Sequence, residues 1–460
     1  MVDTPNNPYG VHDWHGRHAH RVMLPLLPPV RWNGDVKRLF SVQRAAAAAA
    51  AFVPEWCAEG LARFLLPQGA GFYRSESRPV RDMGVMAALV HAERRRRQLC
   101  VCDALAGPTA VRALRYRLEG QCRRVLANDA LSGEGASLLE RNAAGAPGIE
   151  VRHENLEVLL RDEGLWRQFD MVDLDAFGTC VEWLRGGVMR LLDTDRGESL
   201  LYACSTAGVT AAGRNPAGAA RAYGVPVSWN PAVREQGLRL LVTAMQREAH
   251  AMGLSLRPLF SHFHCPGGTF RVMAAVSRAD RRRRAVEPQR SWRHVVYCTA
   301  CGYTGGYPAG DNARGDVVAE VHACPDCGND ESSSLKCSGP MYLGPLHDAA
   351  FLRGMERVTN EAPRKHFDTS TLRALYDMRV EAEYDGAPFY YAVGDLGRRA
   401  NCPPPAPRRL VQWLRRRNRA EGTGQSWRSS PCSVDPAAVR TLAPMPVLLE
   451  GVKEVSRGRA

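Results

Sequence analysis

RQLCVCDALAGPTAVRALRYRLE, residues 97–119, is typical of a buried strand, a turn that contains glycine, and a helix with arginines along one face. Strands and helices keep alternating up to residue 253, with further strands in RRVLANDA, IEVRHEN, FDMVDLDAF and SLLYACS. Two closing strands, at 254–263 and 269–278, flank a Pro-Gly-Gly turn. Regular alternation of this kind indicates a mostly parallel, doubly wound sheet. The predicted fold class is therefore α/β.

The length of the chain predicts more than one domain, because 460 residues exceed what one ordinary core accommodates. The linker DRRRRAVEPQRSW, residues 280–292, places a boundary near residue 285. We expect an extension at 1–52, the α/β domain at 53–285 and a smaller α+β domain at 286–460. The extension is rich in proline, histidine and arginine, which leaves two interpretations open: a flexible segment or an organelle-targeting segment.

The charge of the chain points to a polyanionic partner. The formal net charge is +13, and arginines cluster at 94–97, 281–284 and 415–417. Guanidinium groups suit phosphates, so nucleic acid is the expected partner, although solvated arginine faces would give the same composition. No stretch approaches the roughly 20 apolar residues that a membrane-spanning helix needs, so we expect no membrane partner.

Polar side chains close the strands of the predicted sheet, where ligands of such sheets bind. Asp129 closes the second strand, about 20 residues after the glycine turn, where an acid accepts hydrogen bonds from ribose hydroxyls. The turn DALAGPTAVR lacks both motifs that cradle a pyrophosphate. We therefore expect a nucleoside without pyrophosphate, namely S-adenosylmethionine. The alternative for each acid is a surface loop or a helix cap.

The fourth strand ends in DLDAFGT, residues 173–179, which suits the activation of an exocyclic amine. The lone pair of such an amine is delocalised into the base, so it needs acceptors that orient it and oppose the developing positive charge. Asp175 and the carbonyl of Ala176 supply two acceptors, and Phe177 supplies a ring that stacks on the base. The alternative is an acidic turn followed by a core phenylalanine.

DLDAFGT also resembles the DxDPFGSP motif of the tRNA (guanine-N2)-dimethyltransferases, which methylate guanosine 26 of tRNA with S-adenosylmethionine. Further segments are similar to motifs of that family in the same order, from about residue 55 to 445: GFYRSESRPVRDMGV, DALAGPTAVRALRYRLE, ANDA, RHENLEVL, EQGLRLLV, GPMYLGPLHD and RTLAP. The resemblance implies a Rossmann-like methyltransferase domain, a tRNA-binding C-terminal domain and a monomer in the nucleus or cytoplasm. The N-terminal extension leaves the mitochondrion or another organelle open.

The resemblance also implies roles for individual residues. Those expected to hold S-adenosylmethionine are Arg81, Arg112, Asp129, Asn155 and Leu156, the last two at the adenine. Asp175 is expected to hold the guanine amine as the catalytic residue, with Phe72 and Phe177 packing on the base.

The chain departs from the family pattern at four positions in or near the predicted site. They are the glycine of the cofactor turn, an acid at the adenine, the motif proline and an acid after the fifth strand, which here are Ala110, Asn155, Ala176 and Ala207. Two alternatives therefore stay open beside the guanine-N2 methyltransferase. One is a tRNA-binding paralogue without catalysis, and the other is an amino-methyltransferase of another RNA base.

The sequences CTACGY and CPDCGN predict a metal site. Cys298, Cys301, Cys324 and Cys327 form two C-x-x-C pairs separated by 22 residues, and a glycine follows each pair. Nothing near the start resembles a secretory signal, so the 14 cysteines indicate a reducing compartment rather than a disulfide scaffold. Four thiolates suit a closed, structural Zn²⁺ site. Two unrelated surface pairs are the alternative.

Overall fold

The computed structural model describes most of the chain beyond the N-terminal extension. The described ranges are 54–67, 73–191, 197–206, 213–278, 291–306, 323–361, 367–384, 388–421 and 427–458. The predicted extension, together with Phe72 and Ala207, lies outside them.

Fifteen strands lie within the described ranges. They are β1 Pro54–Glu59, β2 Ala62–Pro67, β3 Leu99–Asp103, β4 Cys122–Asn128, β5 Ile149–Arg152, β6 Met171–Leu174, β7 Ser199–Ser205, β8 Leu254–His264, β9 Thr269–Arg278, β10 Trp292–Cys298, β11 Thr304–Gly306, β12 Leu335–Tyr342, β13 Tyr391–Ala392, β14 Ser429–Pro431 and β15 Ala438–Thr441.

The α-helices of the same ranges are numbered in chain order. They are α1 Arg78–Arg95, α2 Val111–Leu118, α3 Glu134–Ala143, α4 Leu156–Leu159, α5 Leu184–Met189, α6 Pro216–Tyr223, α7 Val233–Ala251, α8 Ala349–Glu361, α9 Thr369–Glu383, α10 Val393–Ala400, α11 Pro407–Glu421 and α12 Met445–Ser456.

A seven-stranded sheet in the order β5-β4-β3-β6-β7-β9-β8 forms the centre of the fold. Strands β3 to β7 pair in parallel, which confirms the mostly parallel sheet. The closing strand β9 instead lies antiparallel between β7 and β8. The carboxyl ends of β3, β4 and β6 therefore share one edge with the amino-terminal end of β9.

Both faces of this sheet are covered, as its sequence requires. Strands β3, β6 and β7 are buried along their whole length, so they consist of almost continuous apolar residues. Asp103, Asp173 and Tyr202 are register partners across these strands, so their side chains lie on one face. That face packs on α1 and α2, and the opposite face packs on α7. The carboxyl groups of Asp103 and Asp173 therefore lie within an apolar layer of the core.

The remaining strands form small sheets. Strands β1 and β2 form a two-stranded sheet. Two further sheets have three strands each, in the orders β11-β10-β12 and β13-β15-β14. Residues from Pro54 onward form one compact unit. Within it, Arg239 of α7 donates to the carbonyls of Tyr342 and Gly344 at 3.0 Å each, so α7 holds the end of β12. The boundary expected near residue 285 falls at 279–290, outside the described residues, and stays a prediction.

No helix in the described ranges combines the length and the apolar character that crossing a membrane requires.

Candidate functional site

Carboxylates and arginines meet where β3 and β6 end. Arg112 of α2 donates from Nη1 to Asp173 Oδ2 at 3.1 Å and from Nε to Asp175 Oδ2 at 2.8 Å. The hydroxyl of Tyr116, one turn further along α2, donates to Asp173 Oδ2 at 2.7 Å. Asp173 accepts both bonds through Oδ2 and is almost fully buried, whereas Asp175 is 25% exposed at the edge of the strand. Of the two acids, Asp175 is the one that faces solvent.

A second arginine holds Asp175 from the opposite side. Nη2 of Arg271, on β9, lies 2.8 Å from Asp175 Oδ1. Burial alone would raise the pKa of Asp175, but the charges of Arg112 and Arg271 outweigh it and hold the pKa far below its usual range. Asp175 is thus an ionised acceptor at any physiological pH and a poor proton acceptor. Its geometry suits orienting a donor and stabilising positive charge.

Sequence reasoning missed Arg271, although a signal was available. Along TFRVMAAVSR, period-two alternation places Arg271 on the same face as Met273 and Ala275. An arginine on an otherwise apolar strand face needs a buried partner. The sequence does not show which acid is that partner, because the answer depends on β9 lying beside β7 in the sheet.

Asp103, at the end of β3, is one of the acids at the strand ends, and the sequence assigned it no individual role. Its side chain is fully buried, and neither of its oxygens has a hydrogen-bond partner among the described residues. Burial and the neighbouring Asp173 raise the pKa of Asp103 well above its usual range. A carboxyl group in this position favours a cationic ligand, which would restore its charge.

The turn after β3 has the form expected of a nucleoside site. Asp129 Oδ2 accepts a hydrogen bond from the amide of Gly107 at 2.9 Å, which brings the end of β4 against the turn. A side chain at Gly107 would meet open space, so the backbone there is accessible to a ligand. Ala110 has φ of 50°, the left-handed conformation that glycine adopts without strain. This backbone conformation explains why the family pattern has glycine at that position.

The two residues expected at the adenine lie at the beginning of α4. Asn155 is exposed, and its Oδ1 caps the helix by accepting from the amide of Glu157 at 2.9 Å. Leu156 is 5% exposed and packs in the core below. Asn155 therefore has a structural role of its own, and its contact with adenine stays a prediction.

Phe177 is the most exposed large hydrophobic residue of the described chain, at 84%. The ring follows Asp175 and the buried Ala176 directly, and the next residue, Gly178, has φ of 93°, which turns the chain at once. An aromatic ring left in solvent beside a charged acceptor is suited to stacking on a planar ligand. The interpretation as a core phenylalanine is therefore wrong. The predicted partner ring, Phe72, lies outside the described residues.

Arg81, expected at the cofactor, belongs to a buried ion network. Its Nε donates to Glu59 Oε1 at 2.7 Å, and its Nη2 donates to Glu59 and to the carbonyl of Arg74. Arg115 of α2 joins Glu59, Asp82 and Glu119 in the same network. The structure thus places Arg81 where it fastens the β1–β2 hairpin to α1, and its contact with a cofactor stays a prediction.

The four predicted cysteines converge on one point. Their sulfur atoms all lie within 4.8 Å of one another. The Sγ atoms of Cys298 and Cys327 are 3.9 Å apart, and those of Cys301 and Cys324 are 3.7 Å apart. A tetrahedron with metal–sulfur bonds of about 2.3 Å has edges of about 3.8 Å, so the spacing fits a Zn²⁺ ion and not disulfides.

The cysteine cluster is anchored to three elements of the C-terminal part. Cys298 ends β10, and Gly302 and Gly328 have φ of 94° and 71°, the positive values that the two tight turns require. Arg399 of α10 donates to the carbonyls of residues 299 and 300 between the first two cysteines. Asp326 Oδ2 accepts from the amide of Met445, at the start of α12, at 3.2 Å. A metal here would join β10, α10 and α12.

Comparison with known proteins identifies a family to which most of the chain is similar. The model of the N2,N2-dimethylguanosine tRNA methyltransferase family matches residues 59–453. A tRNA (guanine(26)-N(2))-dimethyltransferase of Thermococcus kodakarensis is 27% identical over 430 residues, which cover 86% of this chain and 98% of the relative. A tRNA (guanine(26)-N(2)/guanine(27)-N(2))-dimethyltransferase of Aquifex aeolicus is 25% identical over 77% of this chain and 87% of its own length.

A solved structure shares the fold. The Pyrococcus horikoshii Trm1 protein, determined in complex with S-adenosyl-L-methionine, superposes with a TM-score of 0.65 at 20% identity. The match covers 86% of this chain and 99% of that structure. The similarity therefore includes the C-terminal part as well as the central sheet.

Proposed function

Because the chain belongs to the N2,N2-dimethylguanosine tRNA methyltransferase family, we propose that it transfers one or two methyl groups from S-adenosylmethionine to N2 of a guanosine in tRNA. Position 26 is the proposed target, by analogy with the relatives. The observation that carries the proposal is the partly exposed Asp175 between two arginines, with the exposed Phe177 two residues further along the chain.

The residues at the ends of β3 and β4 fit S-adenosylmethionine. Asp129 uses one oxygen for Gly107 and keeps the other for ribose hydroxyls. The unpartnered oxygens of Asp103 suit the α-ammonium group of the methionine moiety, whose charge would lower the pKa of that carboxyl. The bound cofactor supplies an electrophilic methyl group.

In the proposed reaction, Asp175 orients the N2 amine and stabilises the positive charge that develops on it. It accepts a hydrogen bond from the N2 amine, which aims the nitrogen lone pair, and it opposes the positive charge that grows on N2. Its strongly lowered pKa makes it a poor sink for the proton that N2 loses, so that proton passes to solvent. Arg112 and Arg271 fix both carboxylate oxygens, so the acceptor is ordered before the base enters.

We also propose that the cysteine cluster binds one Zn²⁺ ion with a structural role. Four sulfur ligands leave no open coordination position, so the metal does not take part in methyl transfer. Its contribution is to hold the turns that contact α10 and α12.

The arginines of α11 contribute unequally to the proposed tRNA surface. Arg415 donates from Nε to the carbonyl of Ser429 at 3.0 Å and stacks 4.3 Å from the centroid of Tyr384. Nη2 of Arg417 lies 3.8 Å from a carboxylate oxygen of Glu450. Arg416 is exposed, as is Arg409 two helical turns earlier on the same side. The run 415–417 is therefore not one phosphate-binding patch.

Replacing Arg409 and Arg416 by alanine is expected to weaken tRNA binding and to reduce the slope of log K against log salt by up to about 2, one unit for each lost phosphate contact. Titrations of tRNA at several salt concentrations measure this slope. Arg415→Ala is the matched control, expected to lower the unfolding temperature but not the slope. An unchanged slope in the double variant would show that the face of α11 with Arg409 and Arg416 does not contact tRNA phosphates.

The proposed function is tested with purified protein, labelled S-adenosylmethionine and unmodified tRNA, followed by nucleoside analysis. We expect label in N2-methylguanosine or N2,N2-dimethylguanosine, and none when guanosine 26 is replaced by adenosine. Label in another base would support the amino-methyltransferase alternative. Binding of tRNA and cofactor without any transfer would support the paralogue without catalysis.

A further inference from the structure

One face of the β8–β9 hairpin is unusually polar beside the active carboxylate. His262 is the register partner of Arg271, and His264 is the register partner of Thr269, so the four side chains share a face. Each has a buried polar atom without a hydrogen-bond partner in the described chain: His262 Nδ1, His264 Nε2, Thr269 Oγ1, and Nε and Nη1 of Arg271. Buried polar atoms are normally paired, so this face is built to meet polar atoms of a ligand or water.

The two oxygens of Asp175 differ in what they can still accept. Oδ2 accepts a hydrogen bond from Nε of Arg112 at 2.8 Å, and Nη2 of the same guanidinium lies 2.6 Å away without hydrogen-bond geometry, so Arg112 covers Oδ2. Oδ1 is contacted by Nη2 of Arg271 and keeps one acceptor position. Oδ1 is therefore the better-placed acceptor for the amine of the proposed reaction, and it lies beside the Arg271 guanidinium.

The two arginines also differ in what they can still donate. Nε and Nη1 of Arg112 donate to Asp175 and Asp173, and only its Nη2, 2.6 Å from Asp175 Oδ2, lacks a hydrogen bond in the described chain. Arg271 contacts Asp175 through Nη2 alone, so Nε and Nη1 keep their N–H groups. The Asp175 oxygen that keeps an acceptor position is thus in contact with an arginine that still has N–H groups to donate.

Guanine presents an acceptor and two donors along one edge, namely O6, N1–H and N2–H, whereas adenine has an amine in place of O6. We propose that Arg271 donates a hydrogen bond to O6 of the guanine whose N2 amine binds Asp175, and that it thereby selects guanine. This inference rests on the proposed function and names the residue that recognises its substrate base.

The surroundings of Arg271 favour a neutral acceptor over a phosphate. Burial and the neighbouring His264 lower the pKa of His262 to about 3, and burial and Arg271 lower the pKa of His264 to about 4. Both rings are therefore neutral at physiological pH. Asp175 already balances the charge of Arg271, so a carbonyl oxygen such as O6 gains a donor without adding a second negative charge to a buried site.

The test compares tRNA that has guanosine at the methylated position with tRNA that has 2-aminopurine there. 2-Aminopurine keeps the N2 amine but lacks O6, and its N1 carries no hydrogen, so the effect of Arg271 is read from how its substitution changes the preference. The measured quantity is the ratio of kcat/KM for the two tRNAs. Arg271→Lys keeps a cation near Asp175 but loses the guanidinium donors. Arg112→Lys is the matched control, because it disturbs the other side of the same carboxylate.

We expect Arg271→Lys to reduce the preference for guanine over 2-aminopurine by about 10- to 100-fold, the effect of one hydrogen bond from a charged donor. Arg112→Lys is expected to slow both substrates and leave their ratio unchanged. If Arg271→Lys slows both substrates equally, Arg271 only positions Asp175 and the proposal is overturned. The unfolding temperature and cofactor affinity of each variant show whether it is folded.

A second measurement separates this inference from the proposed function. Equilibrium binding of the same two tRNAs, in the presence of S-adenosylhomocysteine, gives a preference that does not depend on turnover. A wild-type protein that methylates neither tRNA contradicts the proposed function. A binding preference that Arg271→Lys leaves unchanged contradicts the role of Arg271.

Discussion

Asp175→Asn is expected to slow methyl transfer by about 10²-fold or more, comparable to the loss of one preorganised electrostatic partner. Both carboxylate oxygens face N–H donors of arginines, so an asparagine amide must turn its own NH₂ group toward Arg112 or Arg271. The variant thus loses the charge that opposes the developing cation and also the fixed orientation of the remaining acceptor. Single-turnover rates with saturating cofactor and tRNA measure the effect.

Cofactor affinity provides the control for this variant. Asp175 has no contact with the turn at Gly107 in the described structure, so the dissociation constant of S-adenosylmethionine is expected to stay within a few-fold of wild type. Phe177→Ala is the matched comparison, since it leaves the carboxylate in place and removes base stacking, which contributes on the order of 1–3 kcal/mol. An Asp175→Asn protein that methylates at the wild-type rate would remove Asp175 from the mechanism.

The second large effect is expected from loss of the metal. Protein purified without added zinc is expected to contain about one equivalent, because four thiolates form one closed tetrahedral site. Cys298→Ser is expected to abolish this content and to lower the free energy of unfolding by about 4 kcal/mol or more, since loss of a structural metal is among the few changes with such large effects. Metal analysis and thermal unfolding measure the two quantities.

Cys337→Ser is the matched control for the cysteine prediction. Cys337 is an exposed cysteine on β12, and its register partner Val296 lies two residues before Cys298. It contributes no sulfur to the cluster, so metal content and unfolding temperature are expected to stay at wild-type values. A Cys298→Ser protein that is free of metal and as stable as wild type would contradict a structural role for the site.

Several features of the site could be predicted because they depend on local sequence alone. The alternation of strands and helices places Asp129 and Asp175 at strand ends, and the carboxyl ends of parallel strands meet at one edge. The spacing of two C-x-x-C pairs, each followed by glycine, similarly predicts a cluster whose sulfur atoms indeed lie within 4.8 Å of one another.

Local sequence was less informative about the arginines, because an arginine reaches several ångströms and its role depends on which acid lies nearby. Arg81 is paired with Glu59 of the β1–β2 hairpin. The consecutive Arg415, Arg416 and Arg417 point in different directions around α11, and only the middle one is exposed. Neither arrangement follows from a composition or a charge run.

The sequence by itself determined the α/β class, the acids at the strand ends and the cysteine set, since periodicity and short spacing are properties of neighbouring residues. Only the tertiary structure decided that Arg271 binds Asp175. That contact requires β9 to lie antiparallel between β7 and β8 in the sheet. This position brings the first residues of β9 to the edge where β6 ends. Sheet order is fixed by how whole strands share one buried core, so no local pattern contains it.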